Sequence, residues 1–390
     1  MTGLPADLAV PRYGEATLAD VLPGAAAALG VRVERGDLPA DPLDLTAALT
    51  GARRIAVLLV DGLGADLICA YADLAPTLAG LARPVGDISA PCPSTTPVSL
   101  ATFGTGLPPG SHGNLGFDTD VPGEERTLNH VQWRDDPDPA VWQPRRTVFE
   151  QAGAAGVEVT AVGPYAYAGS GLTRAVYRGA TYTGAVGPGD LSALVLQALA
   201  AGPRTLVYGY MAELDLTGHV RGIDSASWRA QLQLIDRVVE QVVAGLPDDA
   251  ALLVTADHGM LDVPAHTRLD LDQEPDLVDG VRVLAGEPRA RYVHTEAGAQ
   301  ADVLARWRGV LGDRAWVSCR EDAIATGVFG AVDDALAARI GDVVALARGT
   351  WAFTSPALEP GPSRLAAYHG SLTATELAIP LLVAHGRELG

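Results

Sequence analysis

Apolar runs that stop abruptly at Asp or His punctuate this chain. Ile55–Val60 is unbroken and closes on Asp61-Gly62, the pattern of a strand buried on both faces and ended by a turn. Ala251–Thr255 repeats it and runs into Asp257-His258-Gly259. Val157–Val162 and Thr205–Tyr210 read as further strands, with a helical Leu191–Ala200 between them at the spacing of βαβ units. Trp228, Leu232, Ile235, Val238, Val239, Val242 and Leu246 return every three or four residues, the apolar face of one long helix. Helices are also expected over Thr17–Leu29, Ala65–Tyr71 and Ala301–Leu311, and from Ser99 to Phe103 after Pro97. Trp316–Cys319 and a final Ala378–Val383 read as strands. The alternation makes the chain α/β, with acidic and imidazole groups at strand ends, where open α/β sheets bind ligands.

The pattern also divides the chain. Residues 1–50 read as a leader, about 50–260 and 362–390 as the core of a single domain, and about 262–361 as an inserted cap. The stretch 118–143 is polar and aperiodic, and Trp133, Trp142, Pro137 and Pro139 within it suggest a lid-like loop that shapes a pocket.

Composition narrows the function. All 28 basic residues are arginine, and the formal charge of −19 excludes binding along a nucleic-acid backbone, which needs clustered cations. An anionic substrate is compatible with this surface only where bound metal reverses the local sign. Cys69, Cys92 and Cys319 form no disulfide framework. No apolar run reaches the roughly 18 residues of a membrane span, and no basic, then apolar N-terminal segment marks a signal peptide. The expected setting is the cytoplasm.

Six residues in short segments carry metal-binding chemistry: Asp61, Asp215 and His219 in Asp-x-x-x-His, Asp257 and His258, and His369 in Tyr368-His369-Gly370. Asp215 and His219, four apart, can face one ion from a helical turn or tight loop, with His369 as a third ligand. Asp61, Asp257 and His258 would hold a second ion, with the Thr96 hydroxyl completing it. Carboxylate and imidazole without thiolate suit zinc, and less well manganese or iron. Two such ions can clamp the attacking and leaving oxygens of an in-line displacement.

Taken in order, the Val60-Asp61-Gly62 strand end, Pro93-Ser94-Thr95-Thr96 with Thr105-Gly106 and Ser111-His112-Gly113 downstream, Asp-x-x-x-His, Asp-His-Gly and the late His-Gly resemble the alkaline phosphatase superfamily. Within it they resemble the type I phosphodiesterase/nucleotide pyrophosphatase family, over about residues 50–385. The resemblance implies an α/β/α sandwich around a largely parallel sheet, two Zn2+ ions and a covalent phospho-threonine intermediate. It places the nucleophile at Thr96, nine residues before Thr105, and a small phosphate ester or nucleotide as substrate. Diesterases of this family commonly carry an asparagine 21 residues after the nucleophile. Phe117 stands there, so the substrate-binding role falls to Asn114, three residues earlier, or to a group from the lid, with Phe117 beside it.

Blander roles compete at several positions. Ser94, Thr95 and Ser99 could cap the helix that follows. His112 reads as a structural hydrogen-bonding group and Cys92 as a packed small residue. A sulfatase would carry its cysteine nine residues before Thr105, whereas Cys92 stands thirteen before it. A phosphomonoesterase or phosphonate hydrolase shares the metal clamp, and a non-catalytic binding protein keeping the fold is the reading from a different class.

Overall fold

The computed structural model describes residues 3–83 and 86–386. Met1, Thr2, Pro84, Val85 and residues 387–390, the last four within the expected core, lie outside the described residues. The centre is a six-stranded sheet built from β1 (Arg54–Val60), β2 (Glu158–Pro164), β3 (Thr181–Ala185), β4 (Thr205–Met211), β5 (Ala250–Thr255) and the edge strand Leu381–His385. The spatial order is edge strand, β5, β1, β4, β2, β3, with every pairing parallel except that of the edge strand on β5. β1, β4 and β5 are buried along essentially their whole length, as their unbroken apolar runs require.

Helices cover both faces. They include α1 (Leu18–Ala28), α2 (Thr96–Thr105), α3 (Pro188–Leu199), α4 (Glu213–Arg221) and α5 (Ala226–Ala244). The Tyr208 ring of β4 lies 5.1 Å from Phe103 of α2, while a Cβ on the next residue, Gly209, would meet Val195 of α3 at 3.2 Å. Consecutive strand residues point to opposite faces, so α2 and α3 lie on opposite sides of the sheet. The architecture is therefore the α/β sandwich with a largely parallel sheet that the motifs implied.

Residues beyond β5 add a four-stranded antiparallel sheet of β6 (Val281–Glu287), β7 (Ala290–Thr295), β8 (Ala315–Cys319) and β9 (Val343–Ala347), in the order β6, β7, β9, β8. Alternate residues serve two cores. Tyr292, Trp316, Val344 and Leu346 join the main core. Val293, Val317, Val343 and Ala345 pack instead with Val303, Trp307 and Leu311 of α6 (Gln300–Leu311). Burial on both faces hides the period-two signal, which is why only β8 stands out in the sequence.

Other departures have equally local causes. The expected leader is part of the core: α1 begins at a Thr17/Asp20 capping box, and Leu18, Leu22, Leu43 and Leu45 are fully or nearly fully buried. The expected final strand breaks at Pro380, which has no N–H to donate. Ala378–Ile379 pairs with Ile88–Ser89, and only Leu381–His385 joins the main sheet. β3 is an edge strand whose Thr-Tyr-Thr-Gly face stays half-buried, so its sequence carries too few apolar residues to reveal it. The 118–143 segment contains a short hairpin of Asp118–Asp120 and Thr127–Asn129 and a helical turn, Pro139–Trp142. No helix of the described residues is long and apolar enough to cross a membrane.

Candidate metal centre

The carboxyl ends of β1, β4 and β5 converge, and the six ligand candidates stand there. Asp61 follows β1; Asp257 and His258 follow β5. Asp215 and His219 lie one turn apart on α4, directly after β4, and His369 returns from the short strand Ala367–Tyr368. Two tight turns bring the backbones close enough. Gly62 adopts φ 73°, and a Cβ there would press on Asp215 at about 3.0 Å; a Cβ on Gly259 would strike the Thr375 carbonyl at 2.0 Å.

The imidazoles are held in one tautomer. His219 Nδ1 donates to the Ala367 carbonyl at 2.7 Å, His258 Nδ1 to Gly259 at 3.0 Å and His369 Nδ1 to Ser94 at 2.9 Å. Carbonyl oxygens only accept, so each Nδ1 carries the proton and each Nε2 presents a lone pair. Those lone pairs point at one another: His219 Nε2 stands 3.1 Å from His369 Nε2 and 3.3 Å from Asp215 Oδ2. On the other side, His258 Nε2 lies 3.6 Å from Asp61 Oδ1 and 3.4 Å from Asp257 Oδ2. The His258 and His369 rings stack at 3.7 Å, so His258 also groups with Asp215 and His369 and joins the two clusters.

Three carboxylate oxygens in this cluster have no donor: Asp61 Oδ1, Asp215 Oδ1 and Asp257 Oδ2. Two of the partner oxygens are engaged. Asp257 Oδ1 accepts from the Gly62 and His258 amides, and Asp61 Oδ2 from the Tyr210 hydroxyl. Buried acceptors without donors are rare and costly, and three of them facing three lone pairs is a donor set that divalent cations complete. Electrostatics agrees. Burial, then the neighbouring carboxylates of Asp257 and Asp215, push the Asp61 carboxyl well up, and burial likewise raises Asp215 and pushes His369 well down. A cation held here would supply the charge that offsets these shifts.

Thr96 faces this group. It opens α2, and its Oγ1 lies 3.3 Å from His258 Nε2 and 3.5 Å from Asp61 Oδ2. Its rivals are engaged or turned away. Ser94 Oγ donates to the Ser371 carbonyl at 2.7 Å and Ser99 Oγ to Asp257 at 2.9 Å, while Thr95 is fully buried. His112 is buried against the Thr102 hydroxyl and burial pushes it down to about 3, so it is a neutral structural group. Cys92 is fully buried.

A cavity of about 470 Å³ opens beside Thr96, a size suited to a small-molecule ligand. Phe117 lines it. Asn114 does not: it is buried beneath α2, its amide donating to the Pro97 carbonyl at 3.4 Å. Trp133 and Trp142 do not line it either. The 118–143 segment folds them inward around His130, with Trp142 Nε1 donating to His130 Nε2 at 3.1 Å and Arg339 stacked 3.6 Å from the Trp142 ring centre. Expected to shape a pocket, the tryptophans are core because apolar area in a polar loop finds burial in its own fold.

Six tyrosines line the wall, and beside Tyr368 of the His369 segment sequence reasoning missed Tyr167, Tyr177, Tyr182, Tyr208 and Tyr210. A signal existed for two of them, since Tyr208 and Tyr210 stand two apart near the end of β4 and share a face. It also missed Glu287, a buried carboxyl at the end of β6, 3.8 Å from His369 Nδ1, which no local pattern announces. Tyr210 donates to Asp61 and so orients that carboxylate. Tyr210→Phe is expected to weaken divalent-cation affinity about tenfold or more, the usual effect of losing such a support, as read by competition with a chromogenic chelator. Unchanged affinity would show that the bond to Asp61 contributes nothing.

A family model described as type I phosphodiesterase/nucleotide pyrophosphatase matches residues 55–372. Among curated proteins, a phosphopentomutase of Yersinia enterocolitica is 32% identical over 186 residues, 47% of this chain and 42% of that one. A phosphopentomutase of Shewanella pealeana is 37% identical over 138 residues, 35% of this chain and 31% of that one. The chain spans less than half the length of these relatives. Among solved structures, mouse ectonucleotide pyrophosphatase/phosphodiesterase 5 superposes with a TM-score of 0.69 at 19% identity, covering 85% of this chain and 88% of that one. An inactive variant of the same mouse protein in complex with AMP gives 0.68 at 18% identity, covering 86% and 88%. At these identities the likeness is one of fold.

Proposed function

This chain belongs to the type I phosphodiesterase/nucleotide pyrophosphatase family, and from that premise we propose a two-metal hydrolase of phosphodiesters or nucleotide pyrophosphates with Thr96 as nucleophile. One observation carries the reading. The Thr96 hydroxyl, at the opening of a helix, lies within 3.5 Å of both a carboxylate oxygen and an imidazole lone pair of a donor-starved cluster.

Asp61, Asp257, His258 and the Thr96 hydroxyl would hold one ion, and Asp215, His219 and His369 the other. Zinc suits this ligand set best, and manganese or iron less well. When bound, such ions lower the pKa of a nearby hydroxyl or water and neutralise charge on the phosphate. The protein's own groups do the rest. Thr96 Oγ1 bonds to phosphorus as the first ester oxygen leaves with its electron pair; a water oxygen then bonds to phosphorus and the threonine oxygen departs. Thr96 stands at the N-terminus of α2, where the positive end of the helix dipole favours an anionic phosphate. The three Nδ1–H bonds to carbonyls hold the imidazoles in the ligating tautomer. Phe117 occupies the asparagine's position and offers a ring in place of an amide. The AMP complex of the mouse structural neighbour supports a nucleotide-like ligand.

The ester class is read by comparing bis-p-nitrophenyl phosphate with p-nitrophenyl phosphate. We expect faster turnover of the diester, because the cavity beside Thr96 has room for a second organic group and the buried Glu287 carboxyl on its wall adds no positive charge for a dianion. A strong monoester preference would make the chain a phosphomonoesterase instead. Fewer than two divalent ions per chain together with no chelator-sensitive activity would make it a binding protein.

A further inference from the structure

We infer that the cavity beside Thr96 takes the uncharged, ring-bearing or apolar group of a substrate with a single phosphoryl group, and turns away a second phosphate. This rests on the phosphodiesterase reading of the site and sharpens its substrate class. The chain holds 28 arginines, yet among the described residues none lines the cavity; the only basic side chains on the wall are His219 and His369. A second phosphoryl group is bound elsewhere by guanidinium or ammonium donors, and here it would face Glu287 and Glu359 instead. Two arginines stand behind the wall: Arg268, 5.7 Å from the Tyr368 ring centre and bonded to the Val263 carbonyl, and Arg291, buried, turned to the Phe353 carbonyl and paired with Glu359.

Four of the phenol hydroxyls on the wall are engaged inside the protein. Tyr177 and Tyr208 bond to each other at 3.0 Å, Tyr182 donates to the Pro164 carbonyl at 2.9 Å and Tyr210 donates to Asp61. With these phenol groups engaged inside the protein, what faces a ligand is aromatic surface. The mouth continues it: Tyr167 is 42% exposed and Leu216 61% exposed, and both line the cavity. An apolar group can therefore run from the phosphoryl centre to solvent without meeting a fixed charge other than carboxylate.

Tyr167 is the place to test this, since it is exposed enough to change without disturbing the core. With metal-loaded enzyme, kcat/KM is measured on bis-p-nitrophenyl phosphate and on ATP for the wild type, Tyr167→Phe and Tyr167→Arg. Tyr167→Phe is expected to keep the wild-type preference for the diester over ATP, because it keeps the ring. Tyr167→Arg is expected to shift the ratio toward ATP about tenfold, because a guanidinium then stands at the mouth where an aromatic ring stood. A wild type that prefers ATP, or a Tyr167→Arg that lowers both substrates alike, overturns the inference. Calorimetry on Thr96→Ala protein reads the same ranking without turnover. Phenyl phosphate is expected to bind about tenfold tighter than inorganic pyrophosphate, and the reverse order overturns the inference whatever the kinetics. Failure of the wild type to cleave either ester, with phenyl phosphate still preferred, would sink the hydrolase reading and leave the cavity's selectivity standing.

Discussion

Thr96→Ala is expected to remove turnover while leaving the metal content unchanged. An alcohol is a poor nucleophile near neutral pH unless its proton is made labile, and Thr96 is the hydroxyl that stands against the cluster, 3.3 Å from His258 Nε2. Losing a nucleophile for which no neighbour can substitute costs roughly 10⁴-fold or more in kcat. No neighbour can: Ser94 and Ser99 spend their protons on the Ser371 and Asp257 carbonyls. Four carboxylate or imidazole ligands remain beyond those that touch Thr96, so the ions stay. Elemental analysis beside single-turnover kinetics checks both halves. Thr95→Ala is the control, since the Thr95 hydroxyl lies beside the Glu287 carboxyl and away from the cluster. A fully active Thr96→Ala with a dead Thr95→Ala would move the nucleophile by one residue and undo the assignment.

Stripping the metals is expected to abolish activity and lower the thermal midpoint together, with both restored by zinc. Ligand binding stabilises the folded state by about 4 kcal/mol at a thousandfold excess over Kd, and each ion adds its own contribution. The metal-free protein also gains a pH dependence of defined sign. Burial and mutual repulsion raise the Asp61 and Asp215 carboxyls, so the folded state keeps protons that the unfolded chain has already released. These two carboxyls make stability fall as pH rises above the ordinary carboxylate range, whereas His369, pushed down by burial, costs stability below the imidazole range, so the falling slope is read above neutrality. Metal-loaded protein, with these groups neutralised by cations, should show no such slope there. A chelated protein with an unchanged melting curve at every pH would mean that the six groups hold no ion.

Much of the site was legible because its chemistry sits in local words. Asp61-Gly62, Asp215-x-x-x-His219 and Asp257-His258-Gly259 each join a buried strand to a turn or helix, and the strand dictates where the acid lands. The same logic made β1, β4 and β5 readable, since a strand buried on both faces must be apolar throughout. It failed where burial depends on distant partners. β6 and β9 sit between two cores, and α1 looked peripheral because nothing in its own residues says that Leu18 and Leu22 pack into the main core.

Asn114 shows the limit in one residue. Spacing offered it as the substrate group, but the turn at Gly113, with φ 84°, and the short helix before it lead Asn114 beneath α2, while Phe117 reaches the cavity. Spacing along a chain measures contour length, whereas a substrate group needs a direction in space.

The order of residues thus determined which atoms this protein gathers at one site: three carboxylates, three imidazoles and one threonine, each placed by a strand end, a helical turn or a tight glycine bend. Only the tertiary structure decided what surrounds them, from the tyrosine wall to the inward tryptophans and the buried Glu287. The reason is range. Hydrogen-bonded strands and turns are specified by neighbours a few residues away, but a cavity wall is assembled from β2, β3, β4 and the inserted sheet, and its character appears only when those surfaces exclude water from one another.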